Sequence, residues 1–333
     1  MILIISCSKG GCFLELRQYS EQQCFMNTVI EIQSYEGEKK QAFAAAFAVF
    51  KKIESLCNRF DPNSEISKIN QMAGKSPFRV APEVFDILHI ANTLSENLLG
   101  AFDVTIGAIT DLWGIGNKGV FRPSQEEIDR VLPLVNYKII ELEQQRVFLP
   151  LLHMQIDLGG IAKEYALHLA AEAAWKCGLN SGWISAGGDI CTIGKKTDAS
   201  VWCIGIQHPR LFHTLLGKIA LYEWDTVETS GDYRRYIMMD GSPYTHILSP
   251  YNGYPTSELI SVSLIYRRDE AGISVNGSGL MVLGLQKSME VLQRFPAVEA
   301  VFVTKDQHVI ATKGLKDYFS LISSSEEKTI EFI

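Results

Sequence analysis

Hydrophobic residues along this chain recur at two spacings, one typical of helices and the other typical of strands. Residues 25–33 alternate between apolar and polar side chains, which predicts a first strand, and residues 38–60 carry an apolar face rich in Ala and Phe at helical spacing. The segment Asp61-Pro62-Asn63-Ser64 ends this helix, because proline and short polar residues favour turns. A second helix is predicted over residues 82–99, with Gly100 as its C-terminal cap.

The middle of the chain predicts short elements followed by a third long helix. Ser124 and Glu127 have the spacing of a capping box, which predicts the start of a short helix. Short strands are predicted over residues 137–149. The third long helix is predicted to begin at about Gly160 and to end at Gly178, where a glycine favours a C-terminal cap.

The last part of the chain is predicted to be rich in strands. Strands and turns cover residues 183–266, and Asp240-Gly241 is a typical hairpin turn. One further helix is predicted over residues 278–295, and a final hairpin turns near Asp306. Helices and strands are mixed without regular βαβ alternation, so we predict an α+β fold of mostly antiparallel sheets flanked by helices.

One domain is predicted, because the sequence contains no internal repeat, low-complexity tract or linker. The chain of 333 residues is long enough to bury a substantial core. We assign residues 21–320 to this domain, residues 1–20 to an N-terminal leader or the remnant of a lipoprotein signal, and residues 321–333 to a C-terminal tail.

The first residues leave two interpretations open. Residues 1–6 are apolar and lead to Cys7, as in the cleavage box of a bacterial lipoprotein signal, but a basic segment and a full apolar segment are missing. If the start codon is placed too late, the protein is extracytoplasmic and anchored to a membrane by a lipid on Cys7. The alternative is a first strand in a cytoplasmic protein.

Composition and charge exclude several classes of protein. Hydrophobic residues make up 47% and charged residues 21% of the chain, a balance typical of ordered globular proteins. The net charge of −7 and the absence of a Lys/Arg stripe argue against nucleic acid as a partner. The seven cysteines include no CxxC pair, so neither a disulfide framework nor a zinc site is predicted.

The most informative segment for chemistry runs from Asp157 to Lys163. It leads from a predicted strand end through Gly159 and Gly160 into the third long helix. Backbone amides and the helix dipole make a helix N-terminus suitable for a phosphate group, and glycines let the backbone approach it closely. Lys163 adds a cation one turn into the helix. On its own, the same segment is also consistent with a purely structural turn.

Three other turns carry small or acidic residues at predicted strand ends. They are Gly100-Ala101-Phe102-Asp103, Ala186-Gly187-Gly188-Asp189 and Thr229-Ser230-Gly231-Asp232. Each is also consistent with a tight turn in which the Asp side chain binds its own backbone. His246 lies beside another predicted strand end, where a histidine is suited to act as a general base near neutral pH or to be satisfied by a local backbone bond.

Several longer motifs then occur in a fixed order, which is far more specific than one short pattern. The motifs are GAFDVTIGAITDLWG, IDLGGIAKEYA, SAGGDI, IQHPR, TSGDYRRY, THILSPYNGYP and GLMVLG. Over about residues 25–310 the chain resembles the ApbE family, the FAD:protein FMN transferases. The resemblance implies an FAD cleft between β-rich lobes, a magnesium ion at the FAD pyrophosphate, and transfer of FMN to a Thr or Ser of another protein with release of AMP.

The resemblance also implies roles for individual residues. In the flavin site, Met26 would pack on the isoalloxazine ring and Phe60 would supply an aromatic side chain. The flavin and ribityl region would be held by Ala101, Phe102 and Asp103. Asp157 and Lys163 would lie in the cleft, and Leu248 would offer a backbone contact. His246 would be the catalytic base for the accepting hydroxyl. The metal positions would be Gly160, Ser274 and Ser278.

The sequence departs from the family pattern at the metal. The motif HILDP reads HILSP here, with Ser249 in place of Asp, and the metal-binding Asp of the family aligns with Ser274. Magnesium prefers anionic oxygen ligands, so the resemblance implies weakened metal binding. A small insertion would instead bring Asp269 or Glu270 to the site.

Three functions are therefore compared. The first is an FMN transferase that uses FAD and Mg²⁺. The second is an FAD-binding carrier or regulatory protein without transferase activity, and the third is a metal-dependent FAD pyrophosphatase. The resemblance implies that the acceptor is a subunit of an Rnf-type or sodium-pumping NADH:quinone oxidoreductase, or a related flavinylated protein.

Overall fold

A computed structural model of the chain describes residues 18–116, 122–211, 213–221, 226–233, 236–239, 242–267, 273–322 and 329–333. The helices are α1 (Lys40–Cys57), α2 (Glu65–Met72), α3 (Pro82–Asn97), α4 (Gly107–Leu112), α5 (Gln125–Val131), α6 (Ala162–Lys176) and α7 (Gly277–Leu292). Short 3-10 turns lie at Leu132–Leu134, Tyr137–Ile139 and Lys313–Leu315.

The strands are between two and eight residues long. They are β1 (Tyr19–Phe25), β2 (Thr28–Ser34), β3 (Phe78–Arg79), β4 (Glu141–Glu143), β5 (Arg146–Phe148), β6 (Gly182–Ala186), β7 (Asp189–Ile193), β8 (Trp202–Gln207), β9 (Leu215–Leu221), β10 (Thr226–Gly231), β11 (Tyr236–Met239), β12 (Ser242–Thr245), β13 (Leu259–Tyr266), β14 (Val298–Thr304), β15 (Val309–Ala311), β16 (Phe319–Leu321) and β17 (Ile330–Phe332).

The main sheet has the strand order β1-β2-β6-β7-β10-β13-β14-β15-β17. Its pairs are antiparallel, except that β15 and β17 run parallel. Smaller sheets are formed by β16-β9-β8, by β3-β5-β4 and by β11-β12. The predicted α+β fold, with mostly antiparallel sheet and flanking helices, is confirmed.

The main sheet separates two hydrophobic cores because side chains alternate between its faces. On β13, Val262 and Leu264 belong to the core shared with the helices, whereas Ile265 belongs to the core shared with the β16-β9-β8 sheet. The helix-side core is held by α1 and α6, which pack on each other. Helix α6 carries buried alanines at four-residue spacing, including Ala166 and Ala170, and such small side chains allow close helix approach.

Most predicted elements are present. The capping box of Ser124 and Glu127 starts α5, and the long helices α1, α3, α6 and α7 lie where they are predicted, within a few residues at their ends. The predicted hairpins near Asp306 and at 240–241 are formed by β14 with β15 and by β11 with β12. The turn residues Asp240 and Gly241 themselves lie outside the described residues.

The prediction of a single first strand over residues 25–33 is wrong. The segment is the second half of a hairpin, in which β1 and β2 are joined by the turn Met26-Asn27. Both turn residues have positive φ angles, 54° and 57°. A tight turn between twisted antiparallel strands requires this backbone, and it is usually marked by Asn-Gly or Asp-Gly rather than by methionine.

The predicted leader and the predicted tail each lie partly outside the described residues. Residues 1–17, which include Cys7, lie outside the described residues, and β1 already begins at Tyr19. In the predicted tail, β17 adds an edge strand beside β15. Within the described segments, none of the helices combines the length and the apolar character that crossing a bilayer requires.

Candidate active site

An open cleft lies where the C-terminal end of α1 meets the N-terminal end of α6 and the ends of several strands of the main sheet. Its lining residues come from seven parts of the chain: 26–28, 54 with 57–60, 157–160 with 162–164, 187 with 189, 229–231, 246–247 and 278. The cleft is therefore assembled from segments that are far apart in sequence.

The start of α6 forms one wall of this cleft. The helix begins at Ala162, and the side chain of its N-cap residue, Ile161, makes no capping hydrogen bond. The preceding turn is fixed by Asp157, whose Oδ1 accepts the Gly159 amide at 2.8 Å. The Leu158 carbonyl accepts the Ile161 and Ala162 amides. This wall therefore offers the cleft the positive end of a helix dipole and the remaining amides of the first turn, an arrangement that suits phosphate groups.

Arg59 holds this wall against the end of α1. Its side chain is only 6% exposed, and its guanidinium group donates to Asp157 Oδ2 at 3.1 Å and to Gln155 Oε1 at 2.7 Å. A second ion pair joins it to Asp111 Oδ1 at 2.9 Å. Because a guanidinium group has several donors in a rigid plane, one side chain fixes three segments at once.

Lys163 places a cation inside the cleft. Its Nζ lies 3.0 Å from Glu164 Oε1 and forms an ion pair with Asp189. Asp189 is 2% exposed, and its Oδ1 also accepts the Thr229 amide at 2.9 Å. The predicted turn at Asp189 therefore acts by orienting the lysine rather than by capping only its own backbone.

A buried polar group lies behind Lys163 and Glu164. The Tyr266 hydroxyl donates to the Glu228 carboxyl group, and His168 Nε2 lies 3.2 Å from the same hydroxyl. Burial, followed by the charge of Glu164, raises the pKa of Glu228 to about 8. The raised pKa favours the protonated form of Glu228, and this limits the negative charge around the lysine.

Seven of the predicted site residues line the cleft. They are Met26, Phe60, Asp157, Gly160, Lys163, His246 and Ser278. Phe102 lies directly behind the wall, because a Cβ atom on Gly160 would be 3.0 Å from the Phe102 ring and 3.6 Å from Ser278 Oγ. The close approach explains why a glycine occupies position 160.

Four further predicted residues do not line this cleft. Ala101 is buried in the helix-side core, and Leu248 packs in a small cluster with Trp113. Ser274 offers its backbone carbonyl to Asn97 Nδ2 at 3.0 Å. The roles assigned to these residues stay predictions.

Asp103 is the fourth of these residues, and it organises the turn that contains it. Its Oδ1 accepts the Thr105 amide at 2.8 Å and the Thr105 hydroxyl at 2.7 Å, while its Oδ2 accepts the Tyr137 amide at 2.9 Å. Burial raises the pKa of this carboxyl group, although the hydrogen bonds oppose the shift. Its observed contacts are therefore structural.

The residues at the predicted metal position do not fit a magnesium ion. Gly160, Ser274 and Ser278 include no carboxylate, and magnesium usually needs one or two. The Gly160 carbonyl already accepts Asn276 Nδ2 at 3.1 Å. In the described parts of the chain, no three His, Cys, Asp or Glu side chains are grouped so as to hold a metal. Asp269 and Glu270 lie outside the described residues.

Sequence patterns missed Arg59, Glu54 and Asn276. Glu54 Oε1 accepts the Met26 amide at 2.7 Å and so fixes the β1–β2 turn against α1. No local pattern marks Arg59, because its partners Gln155 and Asp157 are 96 and 98 residues away. For Asn276, the only local signal is its place two residues before the predicted helix, because asparagine is a favoured N-cap residue.

Comparisons with known proteins identify the family of the chain. The model of the ApbE family matches residues 26–302. An FAD:protein FMN transferase from Klebsiella pneumoniae (strain 342) is 30% identical over 312 residues, covering 92% of this chain and 96% of the relative. An FAD:protein FMN transferase from Treponema pallidum (strain Nichols) is 26% identical over 339 residues, covering 95% and 93%.

Solved structures show the same fold. The apbe protein from Thermotoga maritima superposes with a TM-score of 0.82 at 29% identity, covering 90% of this chain and 99% of that protein. The apo flavinyl transferase ApbE from Pseudomonas stutzeri superposes with a TM-score of 0.75 at 26% identity, covering 86% and 91%. The chain is therefore an enzyme and belongs to the ApbE family.

Proposed function

We propose that this chain transfers the FMN half of FAD to a Ser or Thr hydroxyl of another protein and releases AMP. The observation that carries the proposal is that the turn at Gly160 leading into α6, the cation of Lys163 and the imidazole of His246 converge on one cleft. The names of its relatives from Klebsiella pneumoniae and Treponema pallidum support the same reaction.

Two groups of lining residues suit the pyrophosphate and the isoalloxazine ring of FAD. The amides at the start of α6 and the ammonium group of Lys163 would bind the pyrophosphate. Met26 and Phe60 would contact the isoalloxazine ring. Phe60 is 45% exposed, and the Arg59 guanidinium group lies 5.3 Å from the centre of its ring. An exposed aromatic side chain at the edge of a cleft is suited to stack on a flat ring system.

The reaction needs a base and compensation of negative charge. The hydroxyl oxygen of the acceptor attacks the phosphorus of the FMN half, and the bond from this phosphorus to the bridging oxygen breaks. The bridging oxygen leaves with AMP, and the hydroxyl proton passes to His246. Preorganised donors stabilise the charge that develops on the phosphates, and here these are Lys163 and the amides of α6.

The expected chemistry includes a magnesium ion, and the residues of this chain support that part least. Because the residues at the predicted metal position do not form a magnesium site, charge compensation is assigned here to Lys163 and the helix amides. The missing carboxylate also favours a second candidate, a flavin carrier or regulator without transfer activity. A pyrophosphatase would differ by using water in place of the acceptor hydroxyl.

The experiment that separates these functions uses the purified protein with FAD and a candidate acceptor, with and without Mg²⁺. The transferase gives in-gel flavin fluorescence of the acceptor, an increase in its mass by one FMN, and an equal amount of AMP. A pyrophosphatase releases AMP and free FMN without an acceptor. A carrier binds FAD in isothermal titration and releases neither product, and no FAD binding at all would contradict every flavin function.

The acceptor and the cellular location belong to the same proposal. The acceptor in this proposal is a subunit of an Rnf-type or sodium-pumping NADH:quinone oxidoreductase, or a related flavinylated protein, and a Ser or Thr hydroxyl of that acceptor would receive the FMN. Lipidation at Cys7 would place the enzyme outside the cytoplasm, next to such a complex. Mass spectrometry of the membrane fraction tests this, because a lipidated protein carries an acylated Cys7 and a cytoplasmic one does not.

A further inference from the structure

One side chain, Asn276, joins the start of α7 to the loop before α6. It is 3% exposed and is the N-cap of α7, where its Oδ1 accepts the Gly279 amide at 2.9 Å. Its Nδ2 donates to the Gly160 carbonyl at 3.1 Å. Position 276 therefore couples two helix starts through a single amide group, at the point where the cleft is lined by Gly160 and Ser278.

The charges at this point disfavour a cation. The N-termini of α6 and α7 meet here, and each is the positive end of a helix dipole. A divalent cation in such a place needs carboxylate ligands to offset this field, and none belongs to the set of Gly160, Ser274 and Ser278. The Gly160 carbonyl instead accepts the partly positive hydrogen of the Asn276 side-chain amide, and this amide group as a whole carries no net charge.

We infer that the Asn276 amide takes the position of a cation at the Gly160 carbonyl, so that this cleft is assembled without a divalent metal. An ion at this carbonyl would face the amide protons of Nδ2, which are donors and cannot act as ligands. The consequence is that the two helix starts are held in place in the apoprotein and are ready for an anionic ligand.

The first test compares the Tm of the wild type with that of Asn276→Asp. The variant keeps the oxygen that caps α7, but it places a second carboxylate oxygen against the Gly160 carbonyl. Wild type is expected to have the same Tm in EDTA and in millimolar Mg²⁺. In EDTA, Asn276→Asp is expected to melt about 2 °C or more below wild type and to recover in Mg²⁺, because a cation can then bridge carboxylate and carbonyl.

Two control variants separate the effect of the added negative charge from the effect of replacing Asn276 and of its position in the fold. Asn276→Ser keeps a capping oxygen and adds no charge, so its Tm is expected to be lower and independent of Mg²⁺. Asn136→Asp introduces the same charge at another capping asparagine, whose Oδ1 accepts the Lys138 amide at 3.2 Å. It is expected to show no response to Mg²⁺.

Several results would overturn the inference. A wild-type Tm that rises with Mg²⁺, or one Mg²⁺ per chain bound by the apoprotein in calorimetry, would mean that Asp269, Glu270 or another acid supplies the ligand. An Asn276→Asp protein that melts like wild type in EDTA and ignores Mg²⁺ would also contradict it. If Asn276→Asp does not fold, the wild-type Tm and calorimetry still decide.

A second experiment measures FAD binding, and its interpretation rests on the proposed function. The FAD Kd of wild type is expected to agree within about twofold between EDTA and Mg²⁺, and a loss of about tenfold or more in EDTA would overturn the inference. If no FAD binds under either condition, the proposed function fails, whereas the Tm and calorimetry of the apoprotein still judge the role of Asn276.

Discussion

Arg59 and Asp157 form an ion pair of 3.1 Å across 98 residues of sequence, and this pair fixes the turn that precedes α6. The same guanidinium group reaches Gln155 and Asp111. The position of the candidate phosphate-binding amides therefore depends on a side chain at the end of α1. Buried polar contacts of this kind hold the loop ends that line the cleft in fixed positions relative to one another.

Removal of Arg59 should destabilise the protein strongly. Arg59→Ala leaves Asp157 without its cation in a partly buried site, so we expect the free energy of unfolding to fall by about 3 kcal/mol. Lys52→Ala is the matched control, because Lys52 and Glu83 form a more exposed pair and the expected loss is about 0.5 kcal/mol. Urea unfolding measures both values, and equal losses would show that Arg59 has no special structural role.

A methyl group at position 160 should damage ligand binding. In Gly160→Ala, the Cβ atom would lie 3.0 Å from the Phe102 ring, so the loop before α6 must shift and FAD should bind more weakly. Gly178→Ala is the control, because its φ of 90° imposes backbone strain while nothing lies within 4 Å of the new Cβ atom.

Both glycine variants should lose stability, but only Gly160→Ala should lose FAD affinity. Isothermal titration with FAD gives the Kd of each variant, and thermal unfolding gives its stability. An unchanged Kd in Gly160→Ala would mean that the start of α6 does not contact FAD.

The stability of the folded protein should depend on the proton held by Glu228. The pKa of this group rises from its ordinary value of 4.5 to about 8 on folding, because burial disfavours its charged form. Between these values the folded state binds more protons than the unfolded state. The stability from this group is full below about pH 4.5, falls by up to about 1.4 kcal/mol per pH unit, and is lost as the pH rises through 8.

Glu228→Gln should therefore flatten the pH profile. Its free energy of unfolding is expected to fall less than that of wild type between about pH 5 and 8, as measured by urea unfolding at several pH values. Glu143→Gln, an exposed change in β4, is the control and should follow wild type. Parallel profiles for wild type and Glu228→Gln would contradict the protonated state assigned to Glu228.

The sequence predicted the elements that depend on local pattern. The start of α6 is predicted because Gly159 and Gly160 directly precede an Ala-rich stretch with helical spacing, and in the structure residues of this segment line the cleft. The β1–β2 hairpin was missed because its turn, Met26-Asn27, adopts a left-handed backbone without the usual glycine. Arg59 and Asn276 were missed because their partners are brought close only by the tertiary fold, at separations of 98 and 116 residues.

The most direct test of the central claim is the transfer of FMN itself. Wild type, His246→Ala and His308→Ala are incubated with FAD and an acceptor, and the intact mass of the acceptor is measured with time. His308 is exposed between β14 and β15 and serves as the control. We predict that wild type and His308→Ala add one FMN, while His246→Ala binds FAD but transfers about 10² to 10⁴ times more slowly. Equal transfer rates for wild type and His246→Ala, or FAD binding without any transfer to an acceptor, would contradict the account.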